Sequence, residues 1–185
     1  QLNNLEKIPN IIAVSKTFSI SEISPLINFG HNHFGENKVQ EAINKWTDIK
    51  NDFKNINLHM IGKLQSNKAK QAVKLFDYIH SLDNLKLAEK ISVEQKKIKR
   101  NIKIFIQINI GDENQKSGVN KNEISSLVNY CKKINLNVIG FMCIPPANIN
   151  PVIYFNEIKK INEIYNFSEL SMGMSSDYLE AVQKN

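Results

Sequence analysis

The amino-acid sequence predicts an α/β fold, namely a parallel (β/α)8 barrel of the TIM type. Short apolar or β-branched runs alternate with apolar stripes at helical spacing, and this alternation is typical of βα units around a parallel sheet. The most apolar run, residues 102–110, has the near-continuous hydrophobicity of a strand that is covered on both faces. Both observations favour strands that lie side by side, with helices packed outside them.

A closed barrel of this type needs eight strands, and the sequence supplies seven. We therefore expect a barrel that lacks its eighth strand in this chain. The alternative is an open doubly wound sheet, but that fold usually carries a Gly-rich dinucleotide turn after its first strand, and none follows here. The predicted strands are residues 10–15, 33–35, 58–61, 78–82, 102–110, 137–143 and 168–172.

Polar residues at the strand-to-helix junctions predict where the helices begin. Ser19, with a glutamate three residues on, has the pattern of a capping box, although the proline that follows leaves open a later start at Ser24. Asn37 is expected to cap the second helix and Asp83 the fourth, because short polar side chains can accept hydrogen bonds from the first turn.

Length and composition indicate one domain, residues 1–185, in a reducing compartment. Of the 185 residues, 42% are hydrophobic and 23% are charged, which suffices for a core of its own. Cys131 and Cys143 have no metal-ligand spacing and are expected to be buried thiols. No apolar run approaches the roughly 20 residues that a membrane helix needs, and the polar start does not resemble a signal peptide. We expect a cytoplasmic protein.

The formal net charge of +6 raises the possibility of a nucleic-acid partner. The lysines are scattered, however, and the one dense basic run, residues 96–100, has no interleaved aromatic residues on which bases could stack. A basic nucleic-acid-associated protein is therefore the least favoured of three functional alternatives.

Polar groups follow most of the predicted strands, at the end of a parallel barrel where ligands bind. Lys16 comes directly after the first strand, and a lysine at the mouth of an apolar pocket can lose its proton and attack an aldehyde. Backbone N–H groups and hydroxyls at residues 173–176 are suited to a phosphate. The same residues are also compatible with a solvated lysine and an ordinary glycine turn with a serine cap. The other polar residues at strand ends are Glu36, Asn37, Gln65, Ser66, Asn67 and Asn109.

The four histidines carry less information. His31 and His33 lie at the start of the second strand, His59 lies in the third and His80 in the fourth. No pair has the spacing of a zinc motif, so no metal site is predicted. For each histidine considered alone, a satisfied core or surface position is favoured over a ligand or a base.

Five motifs, in this order, resemble the pyridoxal 5′-phosphate (PLP) homeostasis protein family over about residues 11–181. They are Ala-Val-Ser-Lys-Thr at 13–17, Phe-Gly-Glu-Asn at 34–37, His-Met-Ile-Gly at 59–62 with Leu-Gln-Ser-Asn-Lys at 64–68, Gln-Ile-Asn-Ile at 107–110 with Lys-Ser-Gly at 116–118, and Ser-Met-Gly-Met-Ser at 171–175.

The resemblance implies a barrel like the N-terminal domain of alanine racemase, with PLP held as a Schiff base on Lys16. It also implies a phosphate site at residues 173–175 and a last strand with an Arg-Ile-Gly motif. This sequence lacks that motif, so we expect a C-terminal truncation. The predicted cofactor-binding residues are Lys16, Asn37, His59, Ser66, Asn67, Ser171, Gly173, Met174 and Ser175.

The predicted function is therefore PLP binding in intracellular vitamin B6 homeostasis, as a cofactor carrier or regulator rather than a catalyst. The alternative is a PLP-dependent enzyme such as a racemase. Racemases that the fold resembles use a second domain and a partner's tyrosine, whereas the barrel uses all 185 residues here. We expect a small-molecule cofactor as partner, neither nucleic acid nor membrane, and a monomer or weak homodimer.

Overall fold

The computed structural model describes residues 8–113, 117–147 and 149–184, so Lys116 lies outside the described residues. Seven parallel strands form one sheet in which each strand pairs with the next along the chain. The strands are β1 (Ala13–Val14), β2 (His33–Glu36), β3 (Asn57–Met60), β4 (Tyr78–Leu82), β5 (Lys103–Gln107), β6 (Asn137–Met142) and β7 (Glu169–Ser171). The helices are α1 (Ile20–Asn28), α2 (Val39–Asp52), α3 (Ala69–Leu75), α4 (Leu85–Lys97), α5 (Ile124–Lys133), α6 (Pro151–Ile164) and α7 (Tyr178–Val182).

The sheet curls into an incomplete barrel. His80 of β4 lies 2.7 Å from Ser171 of β7, measured from Nδ1 to Oγ, although two strands separate them in the sheet. In a flat sheet, strands three positions apart would be about 14 Å from each other, since neighbours are about 4.8 Å apart. The prediction of a seven-stranded parallel barrel is confirmed. A doubly wound sheet is excluded because its strand order would reverse at a switch point.

The strand predictions are confirmed, with shorter bounds at most ends. The largest differences are at β5 and at β1, where residues 10–15 were expected and only Ala13–Val14 have strand geometry. The ladder still continues for one step, because the Ser15 N–H donates to the Gly35 carbonyl at 2.9 Å. The apolar run at residues 102–110 extends beyond the end of β5, because Ile108 and Ile110 remain buried after the strand has ended.

One of the three cap predictions is confirmed. Ser19 caps α1 in a capping box with Glu22, so the alternative start at Ser24 is wrong. Asn37 does not cap α2, because the helix begins one residue later than expected, after Lys38.

The cap of α4 is Asn84 rather than the predicted Asp83. Asn84 Oδ1 accepts a hydrogen bond from the Leu87 N–H at 2.9 Å. Asp and Asn are equally good caps, so packing determines which of the two adjacent residues becomes the cap. The helix begins where Leu87 and Ala88 can reach the core.

The main core lies between the sheet and the helices. Alternate strand residues point outward, and the helices cover them with apolar side chains. Full burial of one such side chain contributes roughly 1.5–3 kcal/mol. Fully buried members of this layer include Phe34, Leu58, Ile79, Ile104 and Phe141 from the strands, and Ala42, Trp46, Val73, Leu87 and Ile91 from the helices.

The inward-facing layer differs from the usual apolar interior of such barrels. His59, His80 and Gln107 are buried there, and Ser171 is half-buried. Both cysteines are buried free thiols, as predicted, and burial raises the pKa of each to about 12. Across the described ranges, no helix has both the length and the apolar character required to span a membrane.

Candidate functional site

Lys16 lies at the carboxyl end of β1. Val14, which pairs with Gly35 of β2, is the last residue of the strand, and Lys16 follows two positions later in the turn that leaves the sheet. The side chain is exposed, and none of the described residues forms a hydrogen bond or ion pair with its amine. The amine is therefore accessible to solvent at the carboxyl end of β1.

The backbone on both sides of Lys16 is held in place. Ser15 is buried, and its hydroxyl donates to Glu36 Oε1 at 2.8 Å. The Thr17 N–H donates to Glu41 Oε1 at 2.7 Å, and Thr17 has a left-handed φ of 69°. The bond from Thr17, more than any other contact, lowers the pKa of Glu41. The loop is thus fixed while the amine between its anchors is free.

Glu36 is the central anchor of this loop. Its side chain is fully buried, and Oε1 accepts three hydrogen bonds, from Ser15, from Lys45 Nζ at 2.9 Å and from Trp46 Nε1 at 2.9 Å. Lys45 also donates to the Ser15 carbonyl at 2.7 Å. Glu36 Oε2 has no partner among the described residues. A buried carboxylate beside a largely buried lysine needs such a network to offset the loss of hydration.

Asn37 and the end of β3 are in direct contact. A Cβ atom added to Gly62 would overlap the backbone of Asn37, so the two strand ends approach as closely as a glycine permits. Ser66 is half-buried and Asn67 is exposed, both in a 3₁₀ turn (Ser66–Lys68) after β3. The predicted residues on β2 and β3 therefore lie on adjacent strand ends.

The loop after β7 is a tight turn packed on α7. Gly173 has a φ of 88°, and a Cβ atom there would lie 2.8 Å from the Cβ of Ala181. The Met174 N–H donates to Asp177 Oδ1 at 2.5 Å. Ser175 is exposed at the tip. The turn thus offers a hydroxyl to solvent, while one of its backbone donors is already used by a carboxylate.

Three imidazoles form a hydrogen-bonded row across the barrel interior, which we call the histidine chain. His33 Nδ1 lies 2.9 Å from His59 Nε2, and His59 Nδ1 lies 2.9 Å from His80 Nε2. The row ends at Ser171, whose Oγ lies 2.7 Å from His80 Nδ1. It therefore connects β2, β3 and β4 with the first residue of the Ser-Met-Gly-Met-Ser motif.

The histidine chain is uncharged at neutral pH. Burial lowers the pKa of His80 to about 3. Burial, followed by the proximity of His80 and His33, lowers the pKa of His59 to about 2. The pKa of His33 is lowered by burial, then by His31 and Lys103.

Aromatic stacking fixes the planes of the two inner imidazoles. His59 stacks on Tyr78 with ring centroids 4.2 Å apart, and His80 stacks on Phe105 with centroids 4.4 Å apart. Each ring can therefore use only the two hydrogen bonds in its own plane.

The family described as alanine racemase, N-terminal domain, matches residues 2–184. The pyridoxal phosphate homeostasis protein of Synechocystis sp. is 35% identical over 93% of this chain and 83% of its own length. That of Haemophilus influenzae is 32% identical over 98% of this chain and 81% of its own length. The chain belongs to the pyridoxal phosphate homeostasis protein family.

Solved structures agree with this assignment. PipY of Synechococcus elongatus PCC7942 with PLP bound is 31% identical, with a TM-score of 0.87 over 97% of this chain and 89% of its own. The same protein without PLP is 33% identical, with a TM-score of 0.84 over 94% of this chain and 85% of its own. Alanine racemase of Clostridium difficile 630 is 13% identical, with a TM-score of 0.73 over 94% of this chain and 48% of its own, and shares the fold.

Two features of this family member were not predicted from its sequence. One is the anchoring role of Glu36, Lys45 and Trp46, which spacing along the chain does not reveal. The other is the histidine chain, because His33 and His80 were each considered alone. The available signal was that three consecutive predicted strands each carry a histidine. Across the described residues, no group of His, Cys, Asp and Glu side chains has the geometry of a metal site.

Proposed function

We propose that this chain binds PLP and takes part in intracellular vitamin B6 homeostasis. The main support is the similarity to PipY with PLP bound, at a TM-score of 0.87 over 97% of this chain. The curated relatives are named pyridoxal phosphate homeostasis proteins, which supports the same role.

Lys16 is the proposed attachment residue. Its nitrogen attacks the aldehyde carbon of PLP, a C=N bond forms as a Schiff base, and the aldehyde oxygen leaves as water. The exposed amine at a strand's carboxyl end supports this role. Ser15 and Thr17, bonded to Glu36 and Glu41, keep the loop in one conformation, so less freedom is lost when the bond forms.

The loop after β7 is the proposed phosphate site. The exposed hydroxyl of Ser175 and the half-buried hydroxyl of Ser171 are suitable donors, and Gly173 allows the backbone to approach closely. The Met174 N–H becomes a further donor when Asp177 releases it.

The remaining predicted residues are proposed to line the same mouth. Asn37 is in contact with Gly62 at the end of β3, and Ser66 and Asn67 follow in the next turn. His59 uses both ring nitrogens within the histidine chain, so its proposed contribution is made through Ser171.

Absorption spectroscopy of the PLP-treated protein, before and after borohydride reduction, tests Lys16 directly. We expect a reducible imine band in the wild type and in Lys63→Ala, which replaces another exposed lysine, and no such band in Lys16→Ala. Mass spectrometry of the reduced wild type should place the adduct on the peptide that contains Lys16. An unchanged band in Lys16→Ala would show that another amine carries the cofactor.

We also propose a single domain that is a monomer or weak homodimer in the cytoplasm. The buried free cysteines support a reducing compartment. Within the described ranges, β1 and β7 each pair on one side only, and an unpaired strand edge favours association.

A further inference from the structure

The histidine chain has only two self-consistent hydrogen-bonding arrangements. A neutral imidazole carries one N–H and one acceptor nitrogen. His59 and His80 each use both nitrogens within the chain, so each must donate in one direction and accept from the other. A mismatch would place two N–H groups or two lone pairs against each other at 2.9 Å. All three rings must therefore carry hydrogen on the same nitrogen, either Nδ1 or Nε2.

The two arrangements present Ser171 differently to a ligand. With hydrogen on every Nδ1, His80 donates to Ser171 Oγ, and the serine keeps its own hydrogen for another acceptor. With hydrogen on every Nε2, the serine hydroxyl donates to His80, and only its lone pairs face outward. An anionic phosphate oxygen accepts hydrogen bonds and does not donate them. Only the first arrangement therefore allows Ser171 to bind a phosphate.

We propose that the histidine chain sets the direction of the Ser171 hydroxyl, and that a phosphate group bound at Ser171 selects the arrangement with hydrogen on Nδ1 of all three histidines. The inference rests on the proposed function in one respect, because it takes the phosphate of PLP as the natural ligand. His33, at the opposite end of the row, then senses occupancy of the phosphate site. Coupling of this kind is reciprocal, so the protonation pattern of His33 changes the affinity at Ser171.

Hydrogen is conserved in the switch. From the Nε2 arrangement, Ser171 passes its hydrogen to His80 Nδ1, His80 passes one to His59, His59 passes one to His33, and His33 releases one from Nε2 to water. Ser171 regains a hydrogen from water at the mouth, and this hydrogen is then donated to the phosphate. One proton enters at Ser171 and one leaves at His33, a half-buried residue at the first position of β2.

Long-range ¹H–¹⁵N correlation spectra of the histidine rings test the proposal, because they show which ring nitrogen carries hydrogen. Spectra are recorded on the wild type without ligand, with inorganic phosphate, with PLP, and with sodium chloride at matched ionic strength. His31 is an internal reference, since its Nε2 lies 2.8 Å from the His33 carbonyl and must carry hydrogen to bond it. The variant His31→Gln assigns the reference signal.

We expect His33, His59 and His80 to share one tautomer population without ligand. Phosphate and PLP should move all three together toward Nδ1–H, while chloride and the His31 reference show no change. In Ser171→Ala the three rings should no longer respond. In His59→Phe, whose ring can still stack on Tyr78, His80 should respond and His33 should not.

Different tautomers among the three rings of the ligand-free protein would overturn the inference, whatever the outcome for PLP. Rings that do not respond to phosphate or PLP would overturn the coupling. An absorption titration of the same samples with PLP reports separately on the proposed function. If the PLP band forms but the histidines do not respond, the inference alone is refuted. If no PLP band forms but the histidines respond to inorganic phosphate, PLP is refuted as the ligand and the switch is retained.

Discussion

At the scale of single residues, the position of Lys16 is defined by the contacts of its two neighbours. Ser15 and Thr17 are bonded to carboxylates of β2 and α2, so the loop has a defined course although the lysine side chain is exposed. The sequence identified Lys16 by its place after a strand and by its motif. Glu36 could not be identified as an anchor in that way, because its partners Lys45 and Trp46 depend on how α2 packs against β2.

We predict that Glu36→Gln destabilises the protein strongly. The substitution removes the charge opposite Lys45 and brings an amide N–H₂ into a site crowded with donors. Breaking a buried ion pair by removing one partner costs on the order of 3 kcal/mol. Urea unfolding followed by circular dichroism measures the loss. Glu94→Gln is the matched control, since its partner Lys97 is largely exposed, and it should have a much smaller effect. Equal losses in the two variants would contradict the anchoring role.

At the scale of elements, the sequence located all seven strands and placed the starts of α1, α2 and α4 to within one residue, while several strand ends differ by one or more residues. Ser19 was recognisable because its capping box is local in sequence. Asn37 and Asp83 failed as caps because the start of a helix also depends on which residues the core accepts. The turn at Gly173 was recognisable as a glycine turn, but its close packing against Ala181 is a tertiary contact.

We predict that Gly173→Ala costs more stability than Gly30→Ala. Both glycines have left-handed φ angles, 88° and 99°, so each substitution carries a backbone cost of about 1–2 kcal/mol. A Cβ atom at Gly30 has nothing within 4 Å, whereas one at Gly173 meets Ala181 at 2.8 Å. Gly173→Ala should therefore also displace α7 and weaken PLP binding, measured by urea unfolding and by absorption titration. Equal unfolding midpoints for the two variants would show that the turn accommodates the added Cβ atom without a further loss of stability.

At the scale of the whole molecule, the sequence predicted the barrel because βα alternation and a parallel sheet are coupled through hydrophobic periodicity. Motif order predicted the family. The polar interior was not predictable, since His33, His59 and His80 are 26 and 21 residues apart and meet only when three strands align. The register makes this possible. His59 pairs with Tyr78, so His80 lies two residues beyond that level, in reach of the next imidazole nitrogen.

The uncharged interior predicts that the protein loses stability in mild acid. Burial holds the pKa of His59 at about 2 and that of His80 at about 3, whereas an unfolded histidine has a pKa of about 6.5. Below pH 6.5 these two histidines become protonated in the unfolded chain but stay neutral in the folded chain. The free energy of unfolding therefore falls as the pH falls. Each of the two histidines contributes about 1.4 kcal/mol per pH unit in this range. Between pH 7 and pH 5 we expect a loss of about 4 kcal/mol, measured by urea unfolding at each pH.

The variants assign this acid sensitivity to the chain of imidazoles. His80→Asn removes one of the two groups and should reduce the pH dependence by about half, even though the variant is less stable at pH 7. His31→Gln lies outside the chain and should change the slope much less than His80→Asn, because His31 bonds the His33 carbonyl and affects the chain only by lowering the pKa of His33. A slope that persists in His80→Asn would mean that other groups take up the protons. A wild-type stability that does not vary between pH 7 and pH 5 would mean that the interior accepts charge, and the fixed neutral state of the histidine chain would then be wrong.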